Sequence, residues 1–145
     1  MAAEKILKFP YAKVPITDVY GKKIGDAYRP IMPLALFYGA KKINVLALVD
    51  TGADECLFPG DFAKLLGHNL TKGKPRTFAG IGGAITGYLH QTDVKLGPYK
   101  FRINIYYSDD WNKWGFGLLG QNGFMTRFDV LFSRKDKEFA IIPKE

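Results

Sequence analysis

The sequence of 145 residues contains one cysteine, Cys56, so an internal disulfide bond is impossible. Long apolar runs are also absent: the longest, such as "VLALV" at 45–49, have about five residues, whereas a membrane-spanning helix needs roughly 20. The N-terminal segment "MAAEKILKFP" lacks the apolar core and cleavage site of a secretion signal. These features predict a cytoplasmic protein that has no membrane partner.

Metal ligands and blocks of like charge are scarce as well. Two histidines and one cysteine without close spacing predict no metal site, and we expect no cofactor. Neither His68 nor His90 has a spacing to Cys56 that indicates a catalytic dyad, so a buried apolar role is favoured for the cysteine. The net charge of +7 is compatible with a nucleic-acid binder, but the lysines are scattered, which favours a basic protein with no nucleic-acid partner.

The sequence does contain many short β-like runs between turn residues, a pattern that predicts a mostly β fold, either barrel-like or sandwich-like. We expect hairpins in "IMPLALFYGAKKINVLALVD", around the glycine-rich tip of "TFAGIGGAITGYLH", at Gly97-Pro98 in "KLGPYKFRINIYY", and in "RFDVLFSRKDKEFAII". Two short helices are predicted, one in "GDFAKLLG", capped by Asp61 and ended by Gly67, and one around "QNGFMTRF". The first 28 residues are predicted to form an extended arm.

One apolar run leads directly into an aspartate, in "LALVDTGADECLFPG". The residues before Asp50 predict a buried strand, and the aspartate ends it in a tight turn with Thr51 and Gly52. A threonine hydroxyl can donate a hydrogen bond, and a glycine lets the backbone approach closely. By itself, however, this triplet predicts no more than a strand that ends in a turn, because three common residues recur often by chance.

The surroundings of the triplet resemble the retropepsins, the retroviral-type aspartic proteases. "LVDTGAD" resembles their active-site signature, and "RPIMPLALFYGAKKINVLALVDTGAD" resembles their first hairpin. "FAGIGGAITG" is similar to the glycine-rich flap, and "GLLGQNGFMTRF" to the apolar-apolar-Gly segment with the short helix after it. These four ordered segments cover about residues 29 to 142. The resemblance implies a mostly β, closed-barrel acid protease fold with a flap hairpin and one short C-terminal helix, formed by residues 29–145 after an arm at 1–28.

The resemblance also implies an aspartic endopeptidase whose active site is shared between two chains. Pepsin-like enzymes carry two Asp-Thr/Ser-Gly motifs, whereas this chain carries one and is too short for two lobes. A homodimer with a two-fold axis would place Asp50 twice in one site. The expected partners are therefore a second copy of the chain and a peptide or protein substrate.

Further roles come from the resemblance alone. Thr51 would hydrogen-bond across the dimer, Gly52 would offer backbone groups to the substrate, and Asp54 would bind substrate backbone and meet an arginine of the other subunit. Arg29 is the candidate for this arginine, and it could equally be a solvated surface charge. Gly120 and Gln121 would support the site. The predicted substrate-binding residues are Leu48, Ala53, Asp54, Leu57, Phe78, Ala79, Gly80, Ile81, Gly82, Gly83, Phe116 and Leu118. Their apolar members predict bulky apolar substrate side chains near the cut, although each could equally belong to an ordinary core.

The chain departs from the family pattern in three places. Gln121 stands where the family often has a charged residue, and a family arginine there helps to hold the residue that corresponds to Asp54. The loop "SDDWNKWGFG" is long, and Trp111 and Trp114 could form a pocket rim or anchor the loop. The arm could strap the dimer, cover a sheet edge or be removed by self-cleavage. Two other functions stay open: a catalytically silent peptide-binding module and, less favoured, a nucleic-acid binder.

Overall fold

The computed structural model describes residues 5–80 and 83–144, and most of these residues lie in strands. Within these ranges the strands are β1 (Leu7–Pro10), β2 (Ala12–Thr17), β3 (Lys23–Arg29), β4 (Ile31–Tyr38), β5 (Lys41–Val49), β6 (Leu57–Pro59), β7 (Lys74–Gly80), β8 (Gly83–Leu96), β9 (Tyr99–Ser108), β10 (Gly117–Leu119), β11 (Phe128–Ser133) and β12 (Glu138–Pro143). The predicted mostly β class is confirmed.

The helical elements are short. They are α1 (Gly60–Leu66), two 3-10 helices at Leu70–Lys72 and Asp109–Trp114, and a helical turn at Gln121–Met125. In the part of the chain that the structure describes, no helix combines the length and the apolar character needed to span a bilayer.

The largest sheet closes on itself. Pairing runs from β4 to β5, β10, β6, β9 and β8, and β8 pairs again with β4, so these six strands form a ring. Apolar side chains of the ring are buried in one hydrophobic core, among them Met32, Leu36, Ala47, Val49, Ile105 and Leu119. β7 pairs only with the first half of β8, so the β7–β8 hairpin extends beyond the ring.

The hairpins predicted from turn residues are present. β4 and β5 pair from Ile31↔Leu48 to Tyr38↔Lys41, and β8 and β9 meet at a turn in which Gly97 has a φ of +54°. β7 and β8 pair up to Gly80↔Gly83, and β11 pairs with β12. The predicted tip residues Ile81 and Gly82 lie outside the described residues. Alternation and turn chemistry are local signals, which is why they identify these elements well.

The predicted arm consists largely of strands within residues 5–28. β1 pairs with β12 in a three-stranded sheet of order β1-β12-β11, and Leu7 is buried in the core. The Tyr11 amide donates to the Lys137 carbonyl at 2.8 Å, and β2 and β3 then form a two-stranded hairpin. The boundary between arm and domain after residue 28 stays a prediction.

The first predicted helix forms, but Asp61 does not cap it. α1 begins at Gly60 after Pro59, with Asp61 inside the first turn, where its negative charge faces the helix N-terminus. Gly67 ends the helix with a φ of 90°, a conformation that favours glycine because it has no Cβ. The predicted C-terminal end is therefore confirmed, and the predicted cap is wrong.

The second predicted helix is not a regular one. The turn at Gln121–Met125 is interrupted because Asn122 has an extended ψ of 125° and Gly123 a φ of 96°. The amides of Gln121 and Asn122 donate to the carbonyls of Ala53 and Asp54, both at 2.8 Å. These bonds to the Asp50 loop compete with the helical pattern, which the local sequence alone does not reveal.

Candidate active site

Asp50 lies directly after β5, where the strand leaves the core. β5 runs parallel to β10, with Val49 opposite Leu119, and the Asp50 amide donates to the Leu119 carbonyl at 3.0 Å. The carboxylate turns back on its own loop, because the Gly52 amide donates to Asp50 Oδ1 at 2.9 Å. A half-buried carboxylate is thus fixed by backbone bonds at the end of a buried strand.

The segment after β10 holds the Asp50 loop from the other side. Gln121 Nε2 donates to the Thr51 carbonyl at 2.8 Å, which adds a side-chain bond to the backbone bond between Gln121 and Ala53. Gly120 is buried, and a Cβ at this position would overlap the carbonyl oxygens of Ala53 and Glu55. Only glycine therefore allows the two segments to approach this closely.

A cavity of about 600 Å³ opens beside Asp50, between the Asp50 loop and the β7–β8 hairpin. It collects nine residues that the sequence predicted for the site: Asp50, Gly52, Ala53, Asp54, Leu57, Phe78, Ala79, Gly83 and Leu118. These residues come from four separate segments of the chain. The structure therefore brings together the active-site loop, both strands of the hairpin and β10.

Other predicted residues lie outside this cavity wall. Leu48 is half-buried in β5, opposite Leu118 of β10, and Thr51 is exposed in the Asp50 loop. Phe116 packs against Trp114, with 6.5 Å between the ring centroids in an edge-to-face arrangement. Arg29 is exposed at the end of β3. Gly80 ends β7, and Gly120 and Gln121 contact the Asp50 loop from behind.

The cavity wall also contains residues that sequence reasoning did not place in the site. They are Glu55, Arg76, Ile85, Asp110 and Lys113, together with the two tryptophans whose role the sequence left open. Alternation along the hairpin could have identified Arg76 and Ile85, because Arg76 and Phe78 are two residues apart and Ile85 pairs with Phe78. Glu55 belongs to the Asp50 loop itself, and the positions of Asp110, Lys113 and the tryptophans depend on how the segment after β9 folds.

A salt bridge joins the hairpin to the Asp50 loop. Arg76 Nη1 lies 3.0 Å from Glu55 Oε1, and the same oxygen accepts a bond from Asn122 Nδ2 at 2.9 Å. The guanidinium also lies over the Phe78 and Tyr106 rings, at 5.0 and 5.6 Å from their centroids. Hydrogen bonding to Tyr106 and to Glu55 raises the pKa of Arg76, so its guanidinium stays positively charged at acidic and neutral pH.

The 3-10 helix Asp109–Trp114 forms the opposite wall and is fastened at several points. Lys64 Nζ donates to Asp109 Oδ1 at 2.8 Å, and this bond holds the pKa of the Asp109 carboxyl below its ordinary value. The Asp61 amide donates to Asn112 Oδ1 at 3.0 Å. Asp110 Oδ2 accepts the Thr86 amide of β8 at 3.0 Å, so this helix also contacts the hairpin.

Cys56 and the two histidines do not border the cavity. Cys56 is fully buried, which agrees with the predicted buried position, and burial raises the pKa of its thiol to about 11. His68 lies 4.6 Å from His90 between ring centroids and contacts Thr92 Oγ1 at 3.3 Å. Burial first, and the nearby His90 second, lower the pKa of His68 to about 4. Among residues 5–80 and 83–144, no cluster of His, Cys, Asp and Glu is arranged to hold a metal ion.

Comparison with known proteins identifies the family of the chain. A family model described as aspartyl protease matches residues 38–122, which include β5, the Asp50 loop and the whole β7–β8 hairpin. This match spans more than half of the chain. The chain therefore belongs to the aspartyl protease family, and the retropepsin resemblance seen in its sequence is confirmed.

A comparison with solved structures identifies the fold. The crystal structure of a retropepsin-like aspartic protease from Rickettsia conorii matches with a TM-score of 0.57 and 21% identity, and the match covers 98% of this chain and 100% of that one. The EIAV protease complexed with the inhibitor HBY-793 has a TM-score of 0.48 and 20% identity, over 64% of this chain and 82% of that one. A comparison with curated protein sequences finds none that matches. The fold is therefore retropepsin-like.

Proposed function

We propose that this chain is an aspartic endopeptidase that hydrolyses peptide bonds as a homodimer, with one Asp50 from each subunit. The observation that carries the proposal is the position of Asp50 in a chain of the aspartyl protease family: its carboxylate is fixed at a strand end and borders a cavity of about 600 Å³. A single chain supplies one Asp-Thr-Gly motif, so the second carboxylate comes from a second copy related by a two-fold axis.

Two neighbouring carboxylates hold a single proton between them, because two like charges about 3 Å apart do not both ionise readily. The charged carboxylate takes a proton from a water molecule held between the two. The oxygen of this water attacks the peptide carbonyl, and the protonated carboxylic acid donates its proton to the carbonyl oxygen. The carboxylic acid that took its proton from the water then gives that proton to the leaving nitrogen, and the C–N bond breaks. The other carboxylate takes a proton from a hydroxyl of the tetrahedral intermediate, so the dyad again holds one proton. Neither a metal nor a cofactor takes part in this scheme.

The β7–β8 hairpin acts as the flap in this proposal. Phe78, Ala79 and Gly83 border the cavity from the hairpin, opposite the Asp50 loop, so an extended peptide would lie between them. Such a peptide pairs with backbone groups on both sides, and its alternate side chains enter the cavity. Leu57, Phe78 and Leu118 offer apolar contacts, which supports a substrate with bulky apolar residues near the cut.

The decisive experiment compares the wild-type chain with Asp50→Asn on a mixed peptide library at mildly acidic pH. We expect cleavage between apolar residues by the wild type and a loss of at least about 10²–10⁴-fold in the variant, because asparagine cannot exchange the proton. Asp136→Asn, a change in the β11–β12 turn, is the matched control and should cleave like the wild type. A catalytically silent binding module would cleave nothing at any pH.

Mixing the two chains tests the shared site. If each site needs two Asp50 residues, excess Asp50→Asn chain should capture wild-type subunits in inactive heterodimers and suppress their activity. An equal excess of Asp136→Asn chain should not suppress it. Unchanged wild-type activity in the presence of excess Asp50→Asn chain, at concentrations where sedimentation shows exchange of subunits, would exclude the shared-aspartate mechanism.

A further inference from the structure

We propose that the cavity selects a substrate with an aromatic side chain, which packs against the paired indole rings of Trp111 and Trp114. The inference rests on the proposed function only in taking the occupant to be a peptide. The two residues are named here the indole pair. It belongs to the 3-10 helix Asp109–Trp114 and borders the cavity that contains Asp50.

The 3-10 geometry explains why the two indoles form one surface. A 3-10 helix has three residues per turn, so side chains at positions i and i+3 lie directly above one another. Trp111 and Trp114 are three residues apart, and their ring centroids are 5.2 Å apart with an interplanar angle of 30°. An α-helix would have offset the two rings, whereas this helix brings them into direct contact.

The indole pair is held in place before any ligand arrives. Trp111 Nε1 donates to the Phe116 carbonyl at 2.9 Å, which fixes the half-buried ring of the pair. The helix itself is anchored to α1 by the bond between Lys64 and Asp109 and to β8 by the bond between Asp110 and the Thr86 amide. A preformed surface loses little conformational entropy on binding, which favours affinity.

Trp114 is the member of the pair that a ligand can reach. It is 49% exposed, although a ring of this size is usually mostly buried. If the two tryptophans served only to anchor the loop, Trp111 and its hydrogen bond would suffice, and Trp114 would gain nothing from facing the cavity. Lys113 Nζ lies 5.5 Å from the Trp114 ring centroid on an exposed side chain, so this cation can move aside when another ring enters.

Aromatic contacts give selectivity that apolar burial alone does not. Leu57, Ile85 and Leu118 in the same cavity accept any apolar side chain of suitable size. A ring packed edge-to-face or offset against an indole gains about 0.5–1.5 kcal/mol beyond the burial of its surface. This gain corresponds to a preference of about two- to tenfold for an aromatic ring over a saturated ring of similar size.

The test uses peptides that differ only in aromaticity. A set of short apolar peptides carries either phenylalanine or cyclohexylalanine at each position in turn, and binding to the Asp50→Asn chain is followed by tryptophan fluorescence. The chain has only two tryptophans, Trp111 and Trp114, so the emission reports on the indole pair itself. We expect the phenylalanine peptide to bind about two- to tenfold more tightly at one position or more, with a change in emission.

Two variants in the Asp50→Asn background separate an aromatic contact from a general loss of structure. Trp114→Leu should remove the preference, whereas Trp114→Phe should retain it, and circular dichroism should show both variants folded. Equal binding of the two peptides at every position, an unchanged preference in Trp114→Leu, or no peptide binding would overturn the proposal.

Cleavage by the wild-type chain, measured with the same peptides, distinguishes this inference from the proposed function. If binding shows the aromatic preference but no peptide is cut, the proposed function fails and the inference stands. If the peptides are cut and the phenylalanine and cyclohexylalanine forms have equal kcat/KM at every position, the proposed function stands and the inference fails.

Discussion

At the scale of single residues, the position of Asp50 depends on a glycine that is distant in sequence. Gly120 lies where the β10 segment crosses the Asp50 loop, and the carbonyl oxygens of Ala53 and Glu55 occupy the space that a side chain would need. Backbone carbonyls of a hydrogen-bonded loop cannot turn away as a flexible side chain can. The smallest residue in the site therefore sets the distance between the two segments.

We expect Gly120→Ala to destabilise the fold by about 1–3 kcal/mol and to reduce peptidase activity, because the added methyl group pushes the Asp50 loop away from β10. Urea denaturation measures the first effect and peptide cleavage the second. Gly25→Ala is the matched control, since a Cβ at Gly25 meets no atom within 4 Å. A Gly120→Ala chain as stable and as active as the Gly25→Ala chain would contradict this explanation.

Cys56 provides a second prediction at this scale. Its thiol is buried, and its pKa of about 11 lies above the ordinary value of 9.0. Only the thiolate reacts with iodoacetamide. Because the pKa is higher in the folded chain, the folded chain has about 100-fold less thiolate at pH 8 than the unfolded chain. We expect iodoacetamide to label the folded chain at least about 100-fold more slowly than the chain in denaturant. Equal labelling rates in the two conditions would show that the thiol is accessible.

At the scale of elements, the β7–β8 hairpin is tied to the body of the molecule through both of its strands. Arg76 in β7 pairs with Glu55, and the Thr86 amide in β8 donates to Asp110. The two contacts lie at neighbouring positions along the hairpin, because Thr77 pairs with Thr86 and Arg76 with Gly87. These two bonds hold the hairpin to the Asp50 loop and to the 3-10 helix Asp109–Trp114 at this level.

Removal of the Asp110 carboxylate should loosen β8 at this point. We expect Asp110→Ala to speed hydrogen exchange of the Thr86 amide by about tenfold, because a charge-assisted bond contributes about 1.5–3 kcal/mol at most and part of it is lost to water. Asp110→Asn retains an acceptor oxygen and should change the rate much less. Hydrogen exchange is measured by NMR. Equal exchange rates of the Thr86 amide in Asp110→Ala and Asp136→Ala would contradict the contact between Asp110 and this amide.

At the scale of the whole molecule, a buried polar cluster connects distant parts of the chain. The hydroxyl groups of Tyr107 and Thr92 form a hydrogen bond of 2.8 Å, and Thr92 also contacts His68. The His68 ring packs against the Tyr38 ring with 3.9 Å between their centroids. Burial raises the pKa of Tyr107 and lowers that of His68, so both groups stay neutral near pH 7. Acid conditions, which favour aspartic protease chemistry, therefore act against this cluster.

The direction of the pH effect follows from the His68 pKa. In the unfolded chain this histidine binds a proton near pH 6.5, whereas in the folded chain it does so only near pH 4. Between these values the unfolded state binds more protons, so the free energy of unfolding falls as the pH falls, by about 2 kcal/mol in total after allowance for solvent screening. This stability is fully present above pH 6.5.

Urea denaturation at pH 7.5 and pH 4.5 measures this effect. We expect His68→Phe to reduce the difference in the free energy of unfolding between the two pH values, because the variant has no group to titrate there. Asp26→Asn is the control: the Lys23 and Lys13 ammonium groups keep the pKa of the Asp26 carboxyl low, so its contribution is lost only at more acidic pH. An unchanged pH difference in His68→Phe would exclude His68 as the cause.

By itself, the sequence determined the local elements and the main chemical group. Alternating strands, turn glycines and the apolar run before Asp50 all act over a few residues, so they identify the hairpins and place the aspartate at a strand end. The order of four family-like segments determined the family. The helix predicted around "QNGFMTRF" was a poorer prediction, because hydrogen bonds from Gln121 and Asn122 to the Asp50 loop override the local preference.

Only the tertiary structure decided which side chains border the cavity. Phe116 is close to the tryptophans in sequence yet does not border the cavity, and Arg76 of β7 contacts Glu55 of the Asp50 loop. The register of Trp111 and Trp114 depends on a 3-10 helix rather than an α-helix, and its bonds to Lys64 and Asp61 come from a different element. Such contacts join residues about 20 to 50 positions apart, so no local pattern could determine them.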